Sequence, residues 1–306
     1  MDVLSDICSR LRLNAHLYFR ADLRAPFSLH LPEEARHVRF HHVLAGEVHV
    51  RAPADDRGGD ASVLLKSGDL VLVPNGEAQL LASDQAPPPP LPLSAVLEAC
   101  PPQDGVLTVG DGDLVASLLC GYLDFDEALL HPAFTQLPPV LVLRRGEPDT
   151  GTALEMLHAE AERPDAGSSF LLHRIIEMLL VLTLRGQQES SGAPSFFRAL
   201  KDPRLARALT ALHDAPHEDW DVTNLASVAG MSRSRFASRF SESVGQSPHA
   251  YLTHWRMTLA RELLRSGATD MQEIAERCGY SSLPAFTRRF GSVCGMSPAA
   301  WRRQNW

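Results

Sequence analysis

Two segments near the end of the sequence combine arginine with serine or threonine at spacings that suit contacts with nucleic acid. Arginine pairs with phosphate oxygens and with the O6 and N7 atoms of guanine, and hydroxyl groups bond to phosphates and base edges. The chemistry that these residue types predict is binding of duplex DNA. The candidates are Arg233, Ser234, Arg235, Ser238 and Arg239 in the first segment and Ser282, Thr287 and Arg288 in the second.

These candidates lie in two copies of one sequence unit. The run from Leu225 to Ser232, followed by two phenylalanines, recurs from Ile274 to Ser281 with two more. The copies are 49 residues apart up to the glycine of each run and 50 residues apart from the first phenylalanine onward. The second copy therefore holds one added residue, and everything else stays in phase.

Each copy has the parts of a helix-turn-helix. A short helix stops at Gly230, because glycine readily takes the left-handed conformation that ends helices. Ser232 can cap a second helix, in which Phe236 and Phe240 share a buried face and leave the basic face outward. The corresponding residues of the second copy are Gly279, Phe286 and Phe290, and the two units are predicted at about residues 222–244 and 271–293.

One amphipathic helix is predicted between the two units. Residues 247–265 begin with Ser-Pro, which supplies an N-cap and a proline in the first turn. At 1.5 Å per residue this helix spans roughly 27 Å, comparable to the ~34 Å of one turn of duplex DNA, so both recognition helices could occupy successive major grooves. Its apolar stripe is Leu252, Trp255, Leu259 and Leu263.

Residues 198–306 resemble the DNA-binding domain of the AraC/XylS family of transcription regulators. The shared residues include the glycines and phenylalanines above, Trp220-Asp221-Val222, Gly245, Pro248, Tyr251, Gly295, Ser297-Pro298 and Trp301. The resemblance implies that Arg288 faces the bases and is the best candidate for a guanine contact. The other base-facing positions that it implies are Ser234, Ala237, Ser238, Leu283, Pro284 and Thr287, of which Ala237, Leu283 and Pro284 could contribute only apolar contacts or shape readout.

Charge divides the sequence at the same place. Residues 198–306 hold 15 Lys and Arg against 10 Asp and Glu, whereas residues 1–197 hold 14 against 27. The net charge of −8 therefore conceals a basic C-terminal region. Because only the docking surface needs positive charge, the acidic total does not argue against DNA binding.

The first 145 residues show the sequence pattern of short β-strands. Alternating or apolar runs are separated by turn residues, such as those at 55–59 and 75–76, which predicts a small barrel or jelly roll. Residues 84–104 are rich in proline, so we expect an irregular excursion there. The predicted strands are residues 38–43, 47–51, 62–66, 69–73, 78–82 and 117–125.

Helical periodicity returns over residues 150–163 and 168–185. The second of these segments carries a coiled-coil-like stripe, which could pack on the barrel or mediate self-association. The resemblance to AraC/XylS regulators, which carry their dimer contacts in such helices, implies that residues 150–186 flank the barrel and contribute to a homodimer. The stripe is Leu172, Ile175, Leu179 and Leu182.

The domain organisation follows from these patterns. Residues 187–197 are polar and rich in helix breakers, which predicts a flexible linker. The sequence is thus expected to comprise a sensor domain over 1–186, the linker, and the DNA-binding domain over 198–306.

The N-terminal half resembles the cupin-type sensor domain attached to one subfamily of these regulators. Phe40 to Gly46 resembles the first cupin motif and Gly68 to Gly76 the second. Cupins hold a metal with histidines of both motifs, and His37 and His41 lie four residues apart on a predicted strand, so their side chains can share a side. Gln79 stands where the second motif has its ligand histidine. An amide there leaves a weak site, so we expect no metal and no cofactor.

Three interpretations of this domain stay open at the level of sequence. The first is a sensor of a small molecule. The second is an oxidant sensor, in which Cys120 pairs with Cys8 or Cys100 if the Cα atoms lie within ~7 Å. The third is a metal-dependent dioxygenase or isomerase, which leaves the duplicated helical units unexplained. The candidate sensing residues are His37, His41, Gln79 and Cys120. The enzyme would use His37, His41 and Gln79, with Glu47 as a further candidate, and His42 and His49 are expected at the surface or in a hairpin.

The sequence as a whole predicts an α+β protein, with a cupin-like β-barrel and flanking helices followed by an all-α domain of two tandem helix-turn-helix units. No run approaches the ~18 apolar residues of a membrane span and no secretion signal is present, so a cytoplasmic location is expected. The predicted function is a transcription activator, not an enzyme, that binds promoter DNA under the control of a small-molecule or oxidant effector. RNA polymerase is the expected protein partner.

Overall fold

A mixed sheet forms most of the N-terminal half. The computed structural model describes residues 2–11, 14–34, 37–52, 61–124, 131–189, 195–267 and 270–304. The strands are β1 (Asn14–Arg24), β2 (Ser28–Leu31), β3 (His37–Ala52), β4 (Ala61–Lys66), β5 (Leu70–Val73), β6 (Gln79–Ala82), β7 (Leu91–Pro92), β8 (Val106–Val109), β9 (Leu114–Asp124) and β10 (Leu141–Leu143). They pair in the order β7-β2-β6-β3-β9-β1-β8, with β4 and β5 also on β3 and β10 on β5. Each of the six predicted strands overlaps a strand of this sheet, and Phe125, the last residue of the sixth, lies outside the described residues.

Strand β3 bends the sheet into a half-barrel. Its first part pairs with β9 and β5, and its second part pairs with β4 and β6. Gly46 lies at the change, with φ +73°, and a Cβ there would overlap the carbonyl oxygen of Val115. Only glycine suits such a position, so two predicted strands are one strand bent at Gly46. The buried interior includes Val43, Val48, Val50, Val71, Val73 and Leu118.

The proline-rich segment 84–104 is only partly irregular. It contains β7 and a short helix, α2 (Leu93–Ala99). Strand β7 pairs with β2 at the end of the sheet order, and an edge is where a strand tolerates Pro92.

The helices α4 (Gly151–Glu162) and α5 (Ser168–Glu189) occupy the two segments with helical periodicity. The leucine-rich stripe of α5 is buried at Leu172, Ile175 and Leu179. Leu182, the fourth residue of the stripe, is partly exposed, and a self-association surface on this helix would use residues other than the three buried ones.

Helices occupy both ends of the predicted linker. Residues 187–189 belong to α5, and residues 195–197 begin the next helix. Residues 190–194, like the predicted turn at 55–59, lie outside the described residues.

The second unit is built of helices. They are α1 (Val3–Leu11), α3 (Pro132–Thr135), α6 (Ser195–Lys201), α7 (Pro203–Asp214), α8 (Val222–Ala229), α9 (Arg233–Val244), α10 (Pro248–Ser266), α11 (Met271–Arg277), α12 (Leu283–Cys294) and α13 (Pro298–Gln304). The repeats form the pairs α8–α9 and α11–α12, which confirms the tandem helix-turn-helix architecture.

Contacts divide the chain between Gly186 and Gln187, and they also group two earlier segments with the C-terminal helices. The helical unit comprises Met1–Arg12, Asp126–Gln136 and Gln187–Trp306, and the sheet unit comprises Leu13–Phe125 and Leu137–Gly186. Helix α1 belongs to the helical unit because its apolar side chains are buried there; Val3, Leu4 and Ile7 form its inner face.

Candidate nucleic-acid interface

Both turns contain a glycine with a left-handed backbone, as predicted. Gly230 has φ +64° and Gly279 has φ +74°. In each turn the N–H groups of the glycine and of the next residue donate to the last carbonyls of the preceding helix, at 2.8 to 2.9 Å. These bonds satisfy helix-end carbonyls that otherwise lack partners.

The added residue of the second copy lies in the turn itself. Helix α9 has Ser232 as its N-cap, whereas α12 has Ser282, 50 residues later. One residue separates Gly230 from its N-cap, but Tyr280 and Ser281 both separate Gly279 from the corresponding position. The insertion therefore lengthens the turn and leaves both helices intact.

The two recognition helices bury one face and expose the other. Helix α9 buries Phe236 and Phe240, whose ring centroids lie 5.5 Å apart, and α12 buries Phe286 and Phe290 at 5.8 Å. The opposite faces carry the predicted DNA contacts. Exposed side chains are Arg233, Ser234, Arg235, Ser238, Arg239, Pro284 and Arg288, and partly exposed ones are Ala237, Ser282, Leu283 and Thr287.

Three of these side chains already have partners within the protein. The hydroxyl of Ser238 donates to Glu242 at 2.6 Å, and Arg239 pairs with Asp202. The hydroxyl of Ser282 accepts from the Ala285 N–H at 3.4 Å, as an N-cap does. Contacts from these residues to DNA would have to replace or share those bonds.

Helix α10 joins the two helix-turn-helix units, as predicted. Ser247 caps it by accepting from the Ala250 N–H at 3.2 Å, and its apolar stripe is buried. Its 19 residues extend ~28 Å at 1.5 Å per residue, close to one turn of duplex DNA.

A chain of buried hydrogen bonds crosses the helical unit beside α10. His131 Nδ1 accepts from the Ala133 N–H, so its Nε2–H donates to the Tyr251 hydroxyl at 3.1 Å. Tyr251 in turn donates to His213 Nε2 at 2.7 Å, and His213 Nδ1–H donates to Asp6 at 2.8 Å. Every donor finds one acceptor in this chain. It links α1 and the segment before α3 to α7 and α10.

The charge state of this chain follows from its burial. Burial favours the neutral carboxyl of Asp6, but the bonds from His213 and Arg10 outweigh it and hold the pKa of Asp6 below its ordinary value. Burial lowers the pKa of His213 and of His131. The chain therefore consists of one carboxylate and two neutral imidazoles at neutral pH.

In the sheet unit, three of the four predicted sensing residues come together. His41 and Cys120 are cross-strand neighbours on β3 and β9, with Nδ1 and Sγ 3.2 Å apart, and His41 Nε2 lies 2.9 Å from Gln79 Oε1. The amide oxygen only accepts, so Nε2 carries the proton and Nδ1 accepts from the thiol. Burial lowers the pKa of His41 to about 4 and raises the pKa of Cys120 to about 12. His37 instead packs against Tyr122, with the two ring centroids 4.4 Å apart.

His42 departs from the expected surface position. It is fully buried: its Nδ1 bonds to the Asp69 carbonyl at 3.1 Å and its Nε2 to His158 Nδ1 at 3.2 Å. Burial lowers the pKa of His42 to about 3. Because α4 supplies His158, both faces of β3 are covered here, which alternation along one strand does not reveal.

No cluster of three or more His, Cys, Asp or Glu side chains in the described ranges is arranged to hold a metal ion. None of the helices described combines the length and apolar character needed to cross a membrane.

Comparison with known proteins agrees with this architecture. Residues 2–189 match the family model described as cupin, and residues 225–304 match the model described as a helix-turn-helix domain. The chain is 31% identical over 308 residues to an AraC-like transcription regulator of Streptomyces lividans, covering 99% of this chain and 98% of that protein. It is 32% identical over 309 residues to a similar regulator of Streptomyces antibioticus, covering 99% of each.

Among solved structures, the DNA-binding domain of the global transcriptional factor AdpA in complex with a target DNA is 37% identical over 34% of this chain and 92% of that one, with a TM-score of 0.32. The two family matches and the full-length relatives together fix the family. This chain belongs to the AraC-like DNA-binding transcription regulators, and its N-terminal half is a cupin domain.

Proposed function

We propose that the cupin domain senses a small molecule and thereby controls promoter binding by the helix-turn-helix units. The supporting observation is that Gln79 Nε2 and Arg39 Nη1 are buried without a hydrogen-bond partner among the described residues. An unpaired buried donor is unfavourable, by about 1 to 3 kcal/mol, and a ligand with acceptor oxygens would relieve it. Both ring nitrogens of His41 are engaged by Gln79 and Cys120, which favours a sensing role over metal chemistry.

A small-molecule signal is better supported than an oxidant. Thiolates, not thiols, react with oxidants, and the raised pKa of buried Cys120 keeps it a thiol at neutral pH. Of the proposed partners, Cys100 is exposed, and Cys8 is half-buried with a pKa raised to about 11 by burial.

The sensor proposal predicts a response that depends on Gln79. The small-molecule fraction of a cell extract is expected to change the affinity of the full-length protein for its DNA, and Gln79→Leu to abolish the change by removing the buried donor. Gln85→Leu, on an exposed amide of the same unit, is the control. Gel-shift titration measures the effect. A full response from Gln79→Leu would contradict the proposal.

The DNA-binding proposal predicts a sequence-dependent role for Arg288. Arg288→Ala is expected to lose ~1 to 3 kcal/mol of affinity for DNA selected from random sequences by the full-length protein, and to relax preference at one base pair. Arg277→Ala, on the first helix of the same helix-turn-helix, is the control. Any loss of affinity that it causes should be the same for selected and for scrambled DNA. Unchanged affinity of Arg288→Ala for both DNAs would remove α12 from the interface.

We also propose that binding activates transcription through RNA polymerase and that the protein self-associates. Activation rests on the family resemblance, and transcription by purified polymerase with and without the protein measures it. Self-association is supported by exposed apolar residues on α4 and α5 away from the buried stripe, and sedimentation velocity measures it. These residues are Met156, Phe170, Leu171 and Met178, which are 42 to 67% exposed.

A further inference from the structure

The two recognition helices end in the same way but have different surroundings. Each ends at a glycine with a left-handed backbone, Gly245 at φ +80° and Gly295 at φ +74°. A Cβ on Gly245 would lie 2.8 Å from Gln136 Nε2, whereas none of the described atoms lies within 4 Å of a Cβ on Gly295. The duplicated units are therefore equivalent in sequence but not in environment.

The difference arises from Gln136, which lies directly after α3. Its Nε2 donates to the Val244 carbonyl at 2.9 Å, and its Oε1 accepts from the Phe196 N–H at 2.7 Å. One amide thus holds the last carbonyl of α9 and the first turn of α6, both groups that a helix leaves without internal partners. The C-terminal end of the first recognition helix is fixed from outside its own repeat.

The rest of the α3 segment contacts the same part of the helical unit. The ring centroid of His131 lies 5.1 Å from that of Phe196 and 6.1 Å from that of Trp255 on α10. His131 also forms the hydrogen bond to Tyr251 described above. In the chain, this segment lies between β9, which carries Cys120, and β10. In sequence, the segment is therefore flanked on both sides by strands of the sheet unit.

We propose that residues 131–136 form the input to the DNA-binding region, and that this input acts on the first helix-turn-helix and not on the second. The inference rests on the proposed sensor function, whose regulated site it names. Gln136 is a positioning residue: it fixes the end of α9 and thereby the approach of Ser234 and Arg233 to the major groove. The second unit binds DNA independently of the signal.

The test uses the full-length protein and selected DNA, with each half-site assigned from the base positions affected by Arg233→Ala and by Arg288→Ala. Gln136→Ala is expected to lower affinity by about threefold to tenfold on intact DNA, as the loss of one or two hydrogen bonds allows. The same loss is expected when the second half-site is scrambled, and none when the first is scrambled. A general packing defect would weaken both half-sites, so an equal loss at both, or no loss at either, overturns the inference.

Two matched comparisons sharpen the result. Gln136→Glu keeps the acceptor for Phe196 N–H but cannot donate to Val244, so it should behave as Gln136→Ala does. Gly245→Ala and Gly295→Ala impose the same backbone strain, but only the first displaces Gln136. Gly245→Ala should therefore weaken its half-site more than Gly295→Ala weakens the other. Equal losses of affinity in the two variants would show that Gln136 does not position the end of α9. Failure to select any preferred DNA with the wild-type protein would count against the proposed function instead.

Discussion

Replacing Ile7 with aspartate is expected to destabilise the helical unit by about 3 to 5 kcal/mol, although residue 7 precedes the whole sheet in the chain. Ile7 is fully buried on the inner face of α1, which contacts α7 and α10. A carboxylate at this position would be buried on the face of α1 that packs against α7 and α10. Both the lost apolar contact and the buried charge favour the unfolded unit.

Hydrogen exchange of α7 and α10 in the full-length protein measures this effect. Ser9→Asp adds the same charge to the exposed face of α1 and should change stability by less than about 0.5 kcal/mol. If exchange in α7 and α10 is as slow in Ile7→Asp as in the wild type, α1 does not stabilise the helical unit.

Acidification from pH 7 to pH 5 is expected to destabilise the sheet unit by ~2 kcal/mol for each of His41 and His42. Both are buried and neutral, with pKa values lowered to about 4 and about 3 by burial, against 6.5 in an exposed chain. As the pH falls below 6.5, the unfolded chain binds protons that the folded chain does not. Stability therefore decreases with falling pH until about pH 4 for His41 and about pH 3 for His42.

Protection factors of amides in β3 and β9, measured between pH 7 and pH 5, report how steeply the stability of the sheet unit changes with pH. His41→Asn and His42→Asn should each remove about half of this pH dependence, since each deletes one titrating group. Gln85→Leu, which removes no titrating group from the same unit, should leave the pH dependence unchanged. A wild-type sheet unit equally protected at pH 7 and pH 5 would show that these histidines do not couple protonation to unfolding.

The features that the sequence predicts correctly are those with a local pattern. Gly230 and Gly279 mark the turns because few other residues adopt their backbone, and the paired phenylalanines mark the buried faces of α9 and α12. The spacing of the two copies also reveals an added residue. It does not reveal that Ser282, and not Ser281, caps α12, because two adjacent serines have the same capping ability.

Other features depend on which distant segments meet. The spacing of the apolar residues Val3, Leu4 and Ile7 is enough to suggest an amphipathic helix. It does not predict that this helix packs against α7 and α10. Gln136 has no neighbouring pattern, since its function comes from two backbone groups far along the chain. The burial of His42 is likewise invisible in the sequence, because it depends on α4 covering a second face of β3.

The composition of the helical unit from three separate segments sets an order of events during synthesis. Helix α1 leaves the ribosome before the entire sheet unit, whereas α7 and α10 follow after it. Until those helices exist, the apolar face of α1 has no partner, and its docking must close a loop that contains the whole sheet unit. Contacts this distant in sequence form slowly, and an exposed apolar helix in the interval favours misassembly. The segment of the unit made first is thus among the last to be buried.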